Sequence, residues 1–210
     1  MKMIGLIGDP SAILTQIVFI TGQIFAILNP ISVIPTFLSL TDDLDVVERH
    51  RIVRNSSFAV LIIALALALG GSYLLSFFHV SISSLQVGGG VLLMAIAIEM
   101  LGGLPRTKSL ESHTEVAIVP IATPLLVGPG TMTTIIVLSG TVPLLLLIIS
   151  IFIVAFITYL LLRYSDILVR VLGRNGIRAM GRFMTIIIAA FAAQLIYSGV
   201  TEWLKSWHVL

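Results

Sequence analysis

Asn29-Pro30-Ile31-Ser32-Val33-Ile34-Pro35 lies deep in a long apolar run, and Thr123-Pro124-Leu125-Leu126-Val127-Gly128-Pro129 repeats its pattern later in the chain. The prolines correspond in pairs, Pro30 with Pro124 and Pro35 with Pro129, each pair 94 residues apart. A proline removes one helical hydrogen bond, and its ring presses on the preceding turn. Two such residues in one short stretch predict an interrupted membrane helix whose loose amides and carbonyls must face protein or a water-lined cavity. Breaks at matching places in two halves of a chain are the sequence sign of a transport site.

The surrounding composition sets the class. The chain has 210 residues, 58% hydrophobic and 10% charged, with a mean hydropathy of +1.12. An ordinary soluble domain is excluded; a polytopic membrane protein fits. Six runs are long enough to span, 13–40, 57–78, 82–103, 117–139, 142–162 and 183–201, and Glu99 is the only formally charged residue in them. The expectation is an all-α membrane protein forming one transmembrane domain over 1–210, with no separate soluble domain. Met1–Pro10 contains Asp9 and Pro10, and the first apolar run is too long for a signal peptide, so that span is expected to be retained.

Cysteine is absent, which removes disulfides and thiolate metal sites, and the four histidines have no metal-ligand spacing. No cofactor is expected. The pI near 9.2 comes from loop arginines; without an aromatic-and-basic stripe it does not indicate nucleic acid. There is no His-Glu-x-x-His, no Gly-x-Ser-x-Gly, no P-loop and no pair of intramembrane carboxylates. The chain therefore reads neither as an enzyme nor as an ATP-driven pump.

Six spans put loops 41–56, 104–116 and 163–182 on one side, with both termini on the other. The loop side carries Arg49, Arg51, Arg54, Arg106, Lys108, Arg163, Arg170, Arg174, Arg178 and Arg182, against Lys2 and Lys205 opposite. The positive-inside rule makes those loops cytoplasmic and the termini external, in a cell (inner) membrane. Three spans per half make the repeat inverted, with halves at 13–103 and 117–201 and spans 1 and 4 broken at the proline motifs. Gly90–Glu99 aligns with Thr185–Gln194 at an offset of 95, one more than the prolines. Gly70-Gly71 and Gly88-Gly89-Gly90 offer close helix approach, and Asn175-Gly176 marks an expected helix stop. Arg163, Asp166, Arg170 and Arg174 recur at helical spacing, as in an interfacial extension of the fifth helix whose arginines meet anionic headgroups.

The candidate substrate site follows from the breaks. Asn29, Ser32 and Thr36 bring polar side chains to the backbone freed by Pro30 and Pro35. Thr123 and Thr131 do so around Pro124, Gly128, Pro129 and Gly130, with Gly128-Pro129-Gly130 expected to be non-helical. Half-helix amides suit a carboxylate, and free carbonyls suit an ammonium group or a cation. Glu99 is a candidate coupling acid. It lies either near the cytoplasmic edge of its span or, if the repeat sets the boundaries, near the middle. Gln194, its repeat partner, is the second coupling candidate, with interhelical hydrogen bonding as its alternative role.

Phe25 through Thr41 resembles the first-span signature of the MarC family of bacterial and archaeal membrane proteins, and Val119 through Thr131 resembles its fourth-span signature. Gly88–Gly103 and Leu172–Ile177 are also similar to family segments, while Thr185 stands where the family usually carries glycine. The resemblance implies a six-span inner-membrane protein and, from members with an assigned activity, transport of small neutral amino acids such as glycine, alanine and serine. The combined expectation is a secondary transporter, coupled to H+ or Na+, holding a small zwitterionic substrate between spans 1 and 4 while one half rocks against the other. A passive channel or pore, and a membrane assembly factor without transport, are the alternatives; oligomeric state is not legible.

Overall fold

The structure is a computed structural model that describes residues 10–102 and 126–206. All regular structure among these residues is helical: α1 (Pro10–Leu28), α2 (Pro30–Leu40), α3 (Val46–Phe77), α4 (Ile82–Leu101), α5 (Pro129–Thr141), α6 (Leu144–Arg163) and α7 (Ser165–Ser206). Five helices are long and apolar enough to cross a membrane: Pro10–Leu28, Val46–Phe77, Ile82–Leu101, Leu144–Arg163 and Asn175–Ser206. Two helices are shorter: α2, at 11 residues, and α5, the described part of the expected fourth span, at 13.

Local chemistry explains most of the helix ends. At the start of α3, Asp45 Oδ1 accepts a hydrogen bond from the Glu48 amide at 2.7 Å, an N-cap. With 32 residues, α3 is about 48 Å long at 1.5 Å per residue, well beyond a ~30 Å hydrocarbon core. Residues 46–56, expected to be loop, are therefore its first three turns, and they carry Glu48, Arg49, Arg51 and Arg54 out of the apolar layer. Its far end closes at His79 (φ 54°), with the Val80 amide donating to the Leu75 carbonyl at 2.9 Å, after which Ser81 caps α4.

Three other local expectations need correction. The two prolines of the first motif do not both interrupt: Pro30 opens α2, while Pro35 lies inside it and leaves the Ile31 carbonyl without its helical donor. Gly128 is extended, but Pro129 and Gly130 are the first residues of α5, because a first helical position needs no amide hydrogen. The expected stop at Asn175-Gly176 falls at Gly173 instead (φ 69°, ψ 163°), a backbone region open essentially to glycine alone. The arginine-bearing segment after Arg163 is accordingly a short arm of α7, separated from α6 at Tyr164, and does not extend the fifth helix.

The helices pack chiefly α4 on α7, α3 on α6 and α5, α1 on α6, α4 on α5, and α2 on α7, with further contact between α1 and α5. Glycines let α4 and α7 approach. A Cβ on Gly90 would stand 2.8 Å from the Ala192 carbonyl oxygen, and one on Gly199 would stand 2.6 Å from that of Ser83. Gly70 and Gly88 would meet nothing within 4 Å, so only part of each glycine run serves packing. The main core gathers Ile24, Leu28, Ile34, Phe37, Val53, Ile135, Leu147 and Ile151; a smaller one joins Ile27, Leu93, Ala97, Ile188 and Ala192.

Candidate functional site

Where α1 ends, Asn29 takes left-handed backbone angles (φ 46°, ψ 57°), which asparagine tolerates better than most side chains. Its amide closes α1 on the Phe25 carbonyl at 2.9 Å, and Pro30 then starts α2 without an amide to lose. The Ser32 hydroxyl donates back to the Asn29 carbonyl at 2.9 Å. These residues lie inside the bundle, with Leu28 2% and Asn29 1% exposed, so the hinge turns toward protein. Neither Oδ1 nor Nδ2 of Asn29 has a hydrogen-bond partner among the described residues. An unpaired buried polar group costs about 1–3 kcal/mol. Pro35 is exposed and Thr36 half-buried further along α2.

The second motif presents the start of α5. Gly130 and Thr131 occupy its first turn, where backbone amides have no intrahelical acceptor. A Cβ on Gly130 would collide with Leu93 of α4, so this turn is pressed against α4 by its lack of a side chain. The Thr131 hydroxyl reaches back to the Leu126 carbonyl at 3.3 Å, and that of Thr134 to the Gly130 carbonyl at 2.9 Å. Thr123 and Pro124 lie outside the described residues.

A small cavity lies between the second motif and the end of α1, just before the first motif. Ile27 from the end of α1 and Gly128, Gly130 and Thr131 from the start of α5 line it, with Leu93, Ile96 and Ile188 from α4 and α7. Its volume is about 10 Å³, room for about one water molecule. Among the described residues, this cavity admits nothing larger.

The coupling candidates lie elsewhere. Glu99 is exposed, two residues before α4 ends at Leu101. Gln194 is also exposed, and its Nε2 donates to Ser198 Oγ at 3.3 Å, one turn along the same helix instead of across to another. Thr185 is 1% exposed and donates to the Gly181 carbonyl at 3.0 Å, so a hydroxyl stands in the core without being stranded.

Two features had no signal in the sequence because they join residues far apart in the chain. Arg49 of α3 donates to the Thr41 carbonyl at 2.8 Å and pairs with Asp166 of α7 at 3.1 Å, tying the end of α2 to the start of α7. Beside α2, a cavity of about 410 Å³ opens between Pro35, Leu38, Ser39 and Asp42 on one wall and Val169, Ile177 and Arg178 on the other. The Gly173 elbow lets both arms of α7 line it.

Several long apolar helices around a polar hinge define an integral, multi-pass membrane protein. The family described as MarC family integral membrane protein matches residues 14–204. A UPF0056 membrane protein of Methanocaldococcus jannaschii is 35% identical over 190 residues, covering 85% of this chain and 93% of that one. One from Pyrococcus horikoshii is 32% identical over 193 residues, covering 90% and 96%. The chain belongs to the MarC family. No solved structure matches it.

Proposed function

We propose that this chain is a secondary transporter that carries a small zwitterion, a neutral amino acid of the glycine, alanine or serine class, by alternating access. The observation that carries the reading is Asn29, a buried amide with no partner among the described residues, held at a left-handed break between two helices in a membrane protein. A side chain kept in so costly a state suits a group that meets its partner only when solute is present. The first turn of α5 lies across the small central cavity from the end of α1 and offers amides to a carboxylate.

The packing supports an inverted repeat. Exchanging α1 and α2 for α5, α3 for α6, and α4 for α7 turns the main contacts into one another, the minor α6–α7 and α5–α6 contacts excepted. The α4–α7, α3–α6 and α1–α5 contacts map onto themselves, α1–α6 onto α3–α5, and α4–α5 onto those of α7 with α1 and α2. Helices consecutive within a half touch little among the described residues, so the halves interlock. That argues against each half rocking as a rigid body and favours opening at the broken ends, where α2 and α5 begin. On this reading the described conformation is closed, and the substrate enters when those ends part.

Counterflow in proteoliposomes against a panel of neutral amino acids tests the proposal. Saturable, counterflow-competent uptake is expected; flux that only follows the gradient would make the protein a channel. The orientation has a separate check, since a reporter fused at Leu210 is expected outside the cell.

A further inference from the structure

The 410 Å³ cavity beside α2 is large enough for a small solute and lies away from the central hinge. Its walls carry opposite charges: the Asp42 carboxylate follows the end of α2, and the Arg178 guanidinium lies on the long arm of α7. Neither side chain forms an ion pair among the described residues, although the structure contains the Arg49–Asp166 and Lys205–Glu202 pairs. The rest of the lining is Ser39 and the apolar Pro35, Leu38, Val169 and Ile177. A guanidinium recognises a carboxylate or phosphate, a carboxylate recognises an ammonium, and the apolar wall takes what lies between.

We propose that this cavity is an outer binding station for a small zwitterion, its anionic end at Arg178 and its ammonium end at Asp42. The occupant is either a free amino acid or the headgroup of a zwitterionic lipid, phosphatidylethanolamine, which presents the same two charges. The station's place on a transport path rests on the function proposed above, but its capacity to bind does not. Pro35 lines the station and Asn29 forms the hinge six residues earlier, about 9 Å away along α2 at 1.5 Å per residue. The second proline of the motif thus faces the station while the first marks the break.

The test is equilibrium binding of radiolabelled alanine to the full chain in nanodiscs, first of phosphatidylglycerol alone, then with phosphatidylethanolamine added. Saturable binding is expected, competed by other amino acids but not by propionate or ethylamine, each of which carries one charge only. Arg178→Gln and Asp42→Asn, both on exposed side chains, are each expected to weaken it about ten-fold or more, the loss of one charge-assisted contact. The exchanged pair Asp42→Arg with Arg178→Asp should recover part of the binding. If added phosphatidylethanolamine displaces alanine, and Arg178→Gln abolishes that displacement, the headgroup is the natural occupant of the same station.

The proposal is overturned if neither alanine nor phosphatidylethanolamine shows a dependence on Arg178 and Asp42. It also fails if propionate competes as well as alanine does, which would reduce the site to an anion patch. Binding that persists without counterflow removes the transport reading and leaves the station. Counterflow that persists in Arg178→Gln and Asp42→Asn, with binding untouched by both, does the reverse.

Discussion

Replacing Asn29 separates a working amide from a passive hinge. Asn29 is 1% exposed, its φ is 46°, and both polar atoms of its side chain lack partners among the described residues. Asn29→Gly removes polar atoms whose unpaired burial costs about 1–3 kcal/mol. Glycine keeps the left-handed backbone without strain. The void it leaves costs about 24 cal/mol per Å³ of residual volume and offsets part of that gain. The net change is expected within about 2 kcal/mol of the original chain, on the stabilised side. Asn29→Ala adds a left-handed penalty of about 1–2 kcal/mol. It should melt about 2–8 °C below the glycine variant, at 2–4 °C per kcal/mol for a chain of this size. Both variants are expected to lose counterflow despite their stability, read by thermal unfolding in detergent beside uptake in proteoliposomes. A glycine variant that transports normally would refute the reasoning, because the backbone turn alone would then suffice. Destabilisation of the glycine variant by more than about 3 kcal/mol would refute it too, by showing that the side chain is already satisfied.

Four further substitutions have expected outcomes. Gly90→Ala puts a Cβ 2.8 Å from the Ala192 carbonyl and should destabilise the chain by about 1–3 kcal/mol, whereas Gly88→Ala, with nothing within 4 Å, should be close to neutral; melting of the two side by side decides. Arg49→Gln removes the contacts to Thr41 and Asp166, and because the two ionic side chains are 20% and 51% exposed the loss should be about 1 kcal/mol or less, shrinking in high salt. Glu99→Gln should abolish uptake driven by a pH gradient while sparing substrate binding; unchanged uptake removes Glu99 from coupling.

Hydropathy made the helical class and the positions of the long spans legible, and the left-handed Asn29 followed by a helix-opening Pro30 gave the hinge. The motif reading failed where a proline was treated as an unconditional break. Pro30 and Pro129 each stand at the first position of a helix, where a missing amide hydrogen is harmless, and α2 absorbs Pro35 with one carbonyl left over. Asn175-Gly176 looked like a stop because asparagine tolerates left-handed angles. The elbow takes φ 69° with ψ 163° at Gly173; Gly176 could adopt the same angles, so local sequence does not choose between the two glycines. The Arg49–Asp166 bridge spans 117 residues of chain, and the outer cavity gathers its walls from residues 35–42 and 169–178. Periodicity and local propensity carry no information on which distant helices will face each other.

The interlocked packing makes a claim about motion that crosslinking can decide, and the absence of native cysteine leaves the background clean. A Cβ on Gly181 of α7 would stand 3.5 Å from the Ser32 Cβ of α2, within the range of a disulfide. At the other end of α5, Ser139 Oγ lies 3.3 Å from Ser72 Oγ of α3. Both pairs join the first half of the chain to the second. If each half moves as a body, oxidising either double-cysteine variant should stop transport. If movement is confined to the ends at Asn29 and Gly128, the Ser32→Cys, Gly181→Cys bridge should stop it while the Ser72→Cys, Ser139→Cys bridge leaves it running. Reduction should restore the first, and each single cysteine should transport, which separates the bridge from the substitutions. Arrest by both bridges would return the argument to rocking halves, and arrest by neither would show that the start of α2 stays still.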